Sequence, residues 1–481
     1  MRTETVQTSD GAAVLPGRLT GAARLSLPRI RLSMGPVAGR LALASLVLGA
    51  GALVAFATAG PSVLVPRSPQ LFPGWEAGPL HAVFQGLPHD PMGLSIGLSL
   101  LLVAMAMAYG IALAAVRTLS ARSIVVAIVA MHVMLLMSPP LQLTDVFNYL
   151  GYARLGGLHG LNPYTHVISQ EIHDPVFRFA TWHGLHSPYG PLFTALSYLL
   201  PFGSLAAAYW TIKVATVLAS LAFLGLVWMC ARRLGRDPRF AVLFVAANPI
   251  YFIFAVGGFH NDFLMLVPLM GAIALVLWGR HRWAGAVLML AVAVKFSAVL
   301  VLPFMLVAVP AWRRRLDMLL GAALAAIPLA VMSIALFGLT LPNLQDQSTL
   351  LTDFSVPNTV GLVLGIGGGT PALLDVAKVA LVLSVLVLLR RRGDWISRAG
   401  WGTLGLLLSL AWLMPWYVIW VAPLAALGTS VRLRRATLAL TAFLILTFAP
   451  ATGIYLARHG IDPLATPAGQ VSSRLQQKLA Q

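Results

Sequence analysis

The chain has 481 residues, of which 58% are hydrophobic and only 10% are charged. This apolar content exceeds what one soluble core can bury, so the composition excludes an ordinary soluble protein and predicts a polytopic membrane protein. The net charge of +18 could suggest a nucleic-acid partner, but the Lys and Arg residues form short clusters between apolar runs. Such clusters are typical of cytoplasmic loops, and we therefore expect no nucleic-acid partner.

Three regions are predicted along the chain: a disordered basic cytoplasmic arm over 1–38, one transmembrane domain over 39–457 and a polar tail over 458–481. The apolar runs are too long and too little alternated for barrel strands, so we expect an all-α polytopic fold of about 11–13 transmembrane helices. The full spans are predicted at 41–60, 92–116, 123–141, 205–230, 239–256, 263–279, 316–338, 373–389 and 436–456.

Three further apolar segments are predicted to be broken or re-entrant helices. Residues 189–202 lie at the outer face, and the roughly 30 residues that separate the basic clusters at 280–282 and 313–315 are too few for two full crossings. We predict a pair of short helices there, with Lys295 near the tip. Residues 400–428 are interrupted at Pro415. Broken helices persist in lipid where they line a cavity within the protein.

The first large outer loop, 138–187, is predicted to have a binding role. About 50 residues with many polar and aromatic side chains are more than a connection needs. Five of the eleven histidines lie in it: His159, His166, His173, His183 and His186. Their spacing does not resemble a zinc helix motif, so we expect neither a metal site nor a cofactor.

Asp145 is the predicted catalytic residue, because only 15 of the 481 residues are Asp or Glu and this one lies at a membrane edge. In a helix, Asp145, Asn148, Tyr149 and Tyr152 share one face. A carboxylate, an amide and two aromatic rings suit the binding of a sugar hydroxyl and the removal of its proton. Alternatively, Asp145 caps a helix, pairs with Arg154 or anchors the loop.

Two more sites carry charge next to apolar runs. The outward turn before residue 263 contains His260 and Asp262, which either contact a substrate or cap the following helix, and both can hold. Lys295 lies within an apolar segment, where a charge costs roughly 2.5 to 3.5 kcal/mol and needs a partner. A lipid phosphate would serve, and the alternatives are an acid of the bundle or snorkelling.

An aromatic group surrounds Pro415: Trp412, Trp416, Tyr417 and Trp420. Such residues are common in an interfacial belt. They can also line a groove for a sugar or a polyprenyl chain.

Six motifs together resemble the GT-C superfamily of integral-membrane glycosyltransferases that use polyprenyl-phosphate sugars, and in detail the polyprenol-phosphomannose-dependent α-1,6-mannosyltransferases of actinobacteria. The motifs are Thr144-Asp145-Val146-Phe147-Asn148-Tyr149, Gly160-Leu161-Asn162-Pro163-Tyr164, Ser187-Pro188-Tyr189-Gly190-Pro191, Gly258-Phe259-His260-Asn261-Asp262, Lys295 and Pro415-Trp416-Tyr417. The resemblance covers about residues 90–430. It implies a GT-C-like catalytic domain whose first large outer loop carries the catalytic aspartate, here Asp145. No second acid directly follows Asp145, which argues against a metal-dependent version.

The resulting hypothesis is transfer of a mannosyl residue from a polyprenyl-phosphate donor to a glycolipid or oligomannoside acceptor, with inversion. The expected product is an elongated α-1,6-mannan, made on the outer side of the cytoplasmic membrane by a multi-pass protein surrounded by membrane lipids. Asp145 would act as the base, and Lys295 with His260 would bind the donor phosphate. The expected sugar or acceptor contacts are Asn148, Tyr149, Tyr152, Asn162, Tyr164, His186, Tyr189, Asp262, Trp416 and Tyr417.

Two alternatives stay open. The same fold could use another polyprenyl-phosphate sugar, such as arabinofuranosyl or glucosyl. A lipid or solute transporter would also be helical, but no internal repeat is evident and few polar residues lie inside the spans.

Overall fold

The computed structural model describes residues 34–65, 72–88 and 90–481. All regular secondary structure in these ranges is helical, and no β-strand forms there, which confirms the predicted all-α class. Most of the predicted basic arm, 1–33, lies outside the described residues. Helix α1 begins at Pro36, inside the range predicted for the arm.

The first part of the chain forms two long helices that pack on each other, α1 and α4, and five shorter ones, of which two lie between them in sequence. The Asp90 carboxylate accepts the N–H of Gly93 and Pro91 occupies the first position of α4, so the start of this helix is defined locally. The helices are α1 (Pro36–Ala59), α2 (Gly74–Ala77), α3 (His81–Phe84), α4 (Pro91–Ala114), α5 (Ala121–Leu136), α6 (Val146–Gly157) and α7 (Pro191–Ser197).

The middle of the chain contains six helices and a fully buried segment. Its helices are α8 (Leu205–Arg233), α9 (Pro238–Ala246), α10 (Asp262–Leu277), α11 (His281–Val294), α12 (Leu302–Ala308) and α13 (Trp312–Phe337). After α9 the chain bends by 55° into a π-helical segment, Ile250–Val256, in which every residue is buried. Pro249 lacks an N–H at this bend, which interrupts the helical hydrogen-bond ladder. Segments of π-helix are frequent at functional sites.

Lys295 lies at a helix break, as the sequence predicts. It has an extended backbone conformation directly after α11, with φ −153° and ψ 118°. The chain continues as a 3-10 turn, Phe296–Val301, before α12. The side chain of Lys295 therefore projects from the end of a helix rather than from its flank.

The last part of the chain combines a peripheral helix with a central one. Its helices are α14 (Gln345–Thr349), α15 (Val356–Val363), α16 (Pro371–Arg390), α17 (Trp395–Ser409), α18 (Val418–Leu427), α19 (Val431–Phe448), α20 (Pro450–Arg458) and α21 (Pro467–Ala480). None of the residues of α16 is buried, whereas all ten residues of α18 are buried. The predicted interruption of 400–428 is a 3-10 turn at Pro415–Tyr417, between α17 and α18.

Among the described residues, five helices are long and apolar enough to cross a membrane: α1, α4, α8, α13 and α16. The number rises to seven if α9 with the π-helical segment, and α19 with α20, each count as one bent span. Six further apolar helical segments have 10–17 residues. The predicted 11–13 crossings require most of these shorter segments to cross as well, so that number stays a prediction.

The predicted polar tail contains α21, which docks on the outer loop. The N–H of Gly184 donates to the carbonyl of Leu479 at 2.9 Å, and the N–H of Leu351 donates to the hydroxyl of Ser472 at 2.7 Å. The Leu479 side chain is buried with Leu185 and Leu350. Helix α21 thus lies on the same face of the protein as the loop 138–187.

Candidate active site

Asp145 lies directly before α6, with a side chain that is 22% exposed. Its carboxylate makes no capping hydrogen bond to the helix. Arg154 pairs instead with Asp174, at 2.8 Å. Two of the alternatives for Asp145, a helix cap and an ion pair with Arg154, are therefore absent, and the carboxylate is available to a substrate.

The Asp145 carboxylate faces a cavity of about 80 Å³. The two charged residues among the lining positions are Asp145 and Lys295. Seven lining residues belong to the predicted site: Asp145, Asn148, Tyr152, Tyr189, Lys295, Trp416 and Tyr417. The outer loop, the break at Lys295 and the turn before α18 thus converge on one polar site, which we call the catalytic cavity for the role that we propose for it.

Residues of α6 hold the outer loop against this cavity. The Asn148 amide donates to the carbonyl of Trp182 at 3.1 Å, and its oxygen accepts the hydroxyl of Thr181 at 2.9 Å. The Tyr152 hydroxyl donates to the carbonyl of Leu185 at 2.8 Å. These bonds keep the segment 181–185 as a wall of the cavity.

The phenols beside Asp145 act as neutral groups. Burial raises the pKa of Tyr152 and of Tyr189, and the nearby Asp145 carboxylate raises both further. Both phenols consequently stay protonated at neutral pH and do not accept a proton, and the Tyr152 hydroxyl already donates to Leu185. Asp145 is the one carboxylate among the residues that line the cavity.

The turn after the π-helical segment brings His260 to Asp145. The Thr144 hydroxyl donates to the carbonyl of Gly258 at 2.8 Å and joins the two turns. The His260 ring is fully buried, with its Nδ1 3.5 Å from an Asp145 carboxylate oxygen. The ring stacks on Trp416, with 3.7 Å between the centroids and 14° between the planes. In this arrangement His260 contacts the predicted base and has no surface in the cavity.

Lys295 has an acidic partner in the bundle, one of the alternatives for this residue. Its ammonium donates to Asp262 at 2.8 Å, and the same oxygen accepts the indole N–H of Trp420 at 2.6 Å. Asp262 is 1% exposed, whereas the Lys295 side chain is 22% exposed. The ammonium therefore contacts a buried counter-ion and is also partly exposed to the cavity.

A second, larger cavity of about 350 Å³ adjoins the catalytic cavity on the α16 side, and we call it the apolar groove. Its walls include Leu374 and Leu381 of α16, Leu406 of α17 and Trp420 of α18. Five residues line both spaces: Pro188, Lys295, Gln347, Trp412 and Tyr417. Because α16 buries no residue in the protein, this groove lies at the lipid-facing side of the bundle.

Six predicted site residues do not line the catalytic cavity: Tyr149, Asn162, Tyr164, His186, His260 and Asp262. The Tyr149 hydroxyl accepts the N–H of Asn261, at 3.2 Å. Asn162 donates to the carbonyl of Phe337, at 2.8 Å, and Tyr164 donates to the carbonyl of Tyr189, at 2.9 Å. His186 is half-buried elsewhere in the outer loop. Most of these side chains pack behind the residues that line the cavity and have no surface in it.

Seven lining residues were not in the predicted site: Trp182, Leu185, Pro188, Gln347, Leu350, Trp412 and Met414. Trp412 belongs to the aromatic group noted in the sequence, and Pro188 to the motif around Tyr189. Gln347 and Leu350 come from α14 and the residue after it. Nothing in the local pattern of that segment indicates a place in the site.

In the described ranges 34–65, 72–88 and 90–481, no three His, Cys, Asp or Glu side chains lie close enough to hold a metal ion together.

Comparison with known proteins gives two family matches. Residues 45–311 match a family model described as alpha-(1->6)-mannopyranosyltransferase, N-terminal domain, and residues 351–472 match one described as MptB C-terminal domain. The first match contains Asp145 and Lys295, and the second contains the aromatic turn 415–417. The catalytic cavity is therefore assembled from both matched regions.

Individual relatives carry the same name. A probable alpha-(1->6)-mannopyranosyltransferase of Mycolicibacterium smegmatis is 29% identical over 373 residues, which are 64% of this chain and 65% of that protein. Alpha-(1->6)-mannopyranosyltransferase A of Mycobacterium tuberculosis is 26% identical over 68% of this chain and 69% of its own length. The chain thus spans slightly less than two thirds of the Mycolicibacterium relative. No solved structure matches the chain. The extent of the N-terminal match, more than half of the chain, shows that the chain belongs to the alpha-(1->6)-mannopyranosyltransferase family.

Proposed function

We propose that this protein transfers a mannosyl residue from a polyprenyl-phosphate donor to a hydroxyl of a glycolipid or oligomannoside, and so elongates an α-1,6-mannan. The reaction inverts the anomeric configuration of the donor and takes place on the outer side of the cytoplasmic membrane. Membership of a mannosyltransferase family supports the mannosyl group. The two adjoining cavities support the donor, and the basic clusters support the outer side of the membrane.

The observation that carries the proposal is that Lys295 and Tyr417 line both the catalytic cavity and the apolar groove. A polyprenyl-phosphate sugar has an apolar chain and a sugar that meet at an anionic phosphate. The apolar groove suits the chain, the catalytic cavity suits the sugar, and the Lys295 ammonium lies where the phosphate would join them. A nucleotide sugar has no part that would use the groove.

The proposed chemistry needs one base and one cation. Asp145 takes the proton of the acceptor hydroxyl while the hydroxyl oxygen bonds to the anomeric carbon. The bond from that carbon to the phosphate oxygen breaks on the opposite face, and its electron pair leaves with the polyprenyl phosphate. Lys295 stabilises the charge that develops on the phosphate. Because the lipid phosphate is already a good leaving group, no cofactor or separate acid is required.

The aromatic walls provide the sugar contacts in this proposal. Tyr152, Tyr189, Trp416 and Tyr417 line the catalytic cavity, and the Tyr189 hydroxyl would donate a hydrogen bond to the sugar. Asn148 positions the loop wall beside them. Aromatic faces pack on the C–H surfaces of pyranose rings without losing the hydroxyl contacts.

An outer location is supported by the distribution of basic clusters. The cluster Arg390–Arg392 lies at the C-terminal end of α16, and Arg122 lies at the start of α5, whereas the loop with Asp145 follows the other end of α5. Basic residues concentrate on the cytoplasmic side, so the proposal assigns the catalytic cavity to the other side.

The proposal is tested with the purified protein in lipid nanodiscs, incubated with radiolabelled polyprenyl-phosphate mannose and an α-1,6-linked mannobioside. We expect a trisaccharide with a new α-1,6 linkage, and no product from GDP-mannose. Transfer from polyprenyl-phosphate arabinofuranose or glucose instead would keep the fold and replace the sugar. Failure with every polyprenyl donor would overturn the enzyme assignment.

A further inference from the structure

We infer that His260 is a positioning residue for Asp145: its imidazole donates a hydrogen bond to the carboxylate and aims the base at the acceptor hydroxyl. This inference rests on the proposed function and deepens it, because it assigns His260 to the base rather than to the donor phosphate.

The His260 ring is buried without a hydrogen bond. Its side chain has no exposed surface, and within the described part of the chain neither ring nitrogen has a hydrogen-bond partner. Buried polar groups are nearly always paired, so an unpaired imidazole needs a reason. The Asp145 carboxylate lies 3.5 Å from Nδ1. Hydrogen bonds at catalytic sites are often long before the substrate binds and shorten in the reacting complex.

Two strained turns hold this pair together. Leu143 and Phe259 are the non-glycine residues with positive φ among the described residues, at 64° and 52°. One lies two positions before Asp145 and the other directly before His260. Such conformations cost energy in residues with a side chain and persist where the surroundings impose them, frequently at active sites.

The two turns are also bonded to each other. The N–H of Leu141 donates to the carbonyl of Gly257 at 2.9 Å, and the Thr144 hydroxyl donates to the carbonyl of Gly258 at 2.8 Å. A backbone bond and a side-chain bond therefore fix the distance between the turn that carries Asp145 and the turn that carries His260. Both strained turns therefore contribute to the same relative position of Asp145 and His260.

The ring of His260 has little freedom to turn away from Asp145. Trp416 covers one face, stacked at 3.7 Å. At Gly258, an added Cβ would lie 2.6 Å from Nε2 of the ring, so this position has room only for glycine. Packing on the face and at the Nε2 edge leaves Nδ1 directed at Asp145.

The titratable groups around the pair are four phenols, Tyr149, Tyr152, Tyr189 and Tyr417, and the ion pair of Asp262 with Lys295. Asp262 and Lys295 neutralise each other at 2.8 Å, and Tyr149 is bonded to the backbone of Asn261. Asp145 is therefore the anion available to His260. If Nδ1 carries the ring proton, it donates to one carboxylate oxygen and leaves the other free to take the proton of the acceptor.

The test compares His260→Asn with His260→Phe in the transfer assay described above. The Asn amide nitrogen can reproduce the Nδ1 donor, whereas Phe keeps the stacking on Trp416 and has no donor. We expect kcat of His260→Phe to fall about 100-fold, the loss typical of a misplaced catalytic group. His260→Asn should keep most of the rate that His260→Phe loses. KM for the donor should stay within about threefold of the wild-type value in both variants. His459→Phe, at an exposed histidine after α20, is the matched control.

Each outcome decides the inference. Equal or higher activity in His260→Phe than in His260→Asn would mean that His260 acts only by stacking on Trp416. A raised donor KM with unchanged kcat would mean that His260 binds the donor phosphate instead. If His260→Phe does not fold, as judged by gel filtration and thermal unfolding, His260→Gln takes its place, since its longer amide does not reach the Nδ1 position. The wild type and His459→Phe test the proposed function separately, because inactivity of both would reject that function before any variant of His260 is compared.

Discussion

The ammonium of Lys295, at the helix break that follows α11, lies 2.8 Å from a carboxylate oxygen of Asp262. Asp262 is buried at the start of α10, and Trp420 donates to the same oxygen. The pair therefore fixes the end of the Lys295 side chain at the boundary of the catalytic cavity and the apolar groove. This location gives the cation a structural role in addition to the proposed catalytic one.

The two roles of Lys295 can be separated. Lys295→Met leaves the Asp262 carboxylate buried without a cation, which should cost about 3–5 kcal/mol and lower the Tm measured in detergent. Lys295→Met/Asp262→Asn removes both charges and should recover most of the Tm, but not the transfer rate. The exposed pair Lys378 and Asp375 is the control, since Lys378→Met should hardly change the Tm. Recovery of activity in the double variant would refute a catalytic role for the ammonium.

The attachment of the outer loop should depend on pH through Asp174. Burial opposes ionisation of this carboxyl, but hydrogen bonds from Arg154, His159 and the N–H of Val176 outweigh burial and hold the pKa of Asp174 below its usual value. With a lowered folded pKa, the stabilisation is complete above the unfolded value of about 3.9 and is lost as pH falls through the folded value.

Asp174→Asn should therefore be less stable than the wild type at pH 5, and the difference in Tm should shrink towards pH 3. Asp462→Asn, at an exposed position, provides the matched carboxylate control. A Tm difference that stays constant from pH 5 to pH 3 would show that ionised Asp174 does not hold the loop.

If the apolar groove binds the polyprenyl chain, changes in the groove should alter KM for long-chain donors more than KM for short-chain donors. Ser409 lines the groove at the end of α17, so Ser409→Trp should fill part of it and raise KM for a long-chain polyprenyl-phosphate mannose about tenfold, equivalent to about 1.4 kcal/mol. KM for a donor with only two isoprene units should change little. Leu386→Trp, on the exposed face of α16, is the control. An equal effect on both donors would mean that the chain lies elsewhere.

Helix α21 and the loop with Asp145 should be accessible from one side of the membrane. The native cysteine, Cys230, is buried and should give little background. In intact cells, a membrane-impermeant maleimide should label Gln477→Cys and Thr181→Cys, whereas Arg391→Cys should react only after lysis. Labelling of Gln477→Cys and Thr181→Cys from opposite sides would contradict the docking of α21. Reaction of both only after lysis would move the catalytic cavity to the cytoplasm.

Several features of the fold follow from local sequence. A lysine inside an apolar run and a proline between tryptophans predict the helix breaks at Lys295 and Pro415, and the structure has both breaks. The rarity of acids singles out Asp145, and the structure places this residue in the lining of the catalytic cavity. Each of these signals lies within a few residues of the feature that it predicts.

Other features depend on contacts that sequence periodicity does not encode. Helix α6 is buried on nearly all sides, so the spacing of its apolar residues does not indicate which side chains line the cavity. Tyr152 lines it, whereas Tyr149 bonds to Asn261. Asp262 and Lys295 are 33 positions apart, and Gly184 bonds to Leu479 across most of the chain. The place of Gln347 in the site depends on such long-range packing and has no local signature.

The central claim is that Asp145 is the base, and its most direct measurement is the single-turnover rate of mannosyl transfer by Asp145→Asn with saturating donor and acceptor. Asn keeps the size and polarity of the side chain but cannot accept the proton, so we predict a fall of at least about 100-fold. Binding of the donor should be unchanged, and Asp462→Asn should transfer at the wild-type rate. A rate for Asp145→Asn equal to that of the wild type would contradict the account.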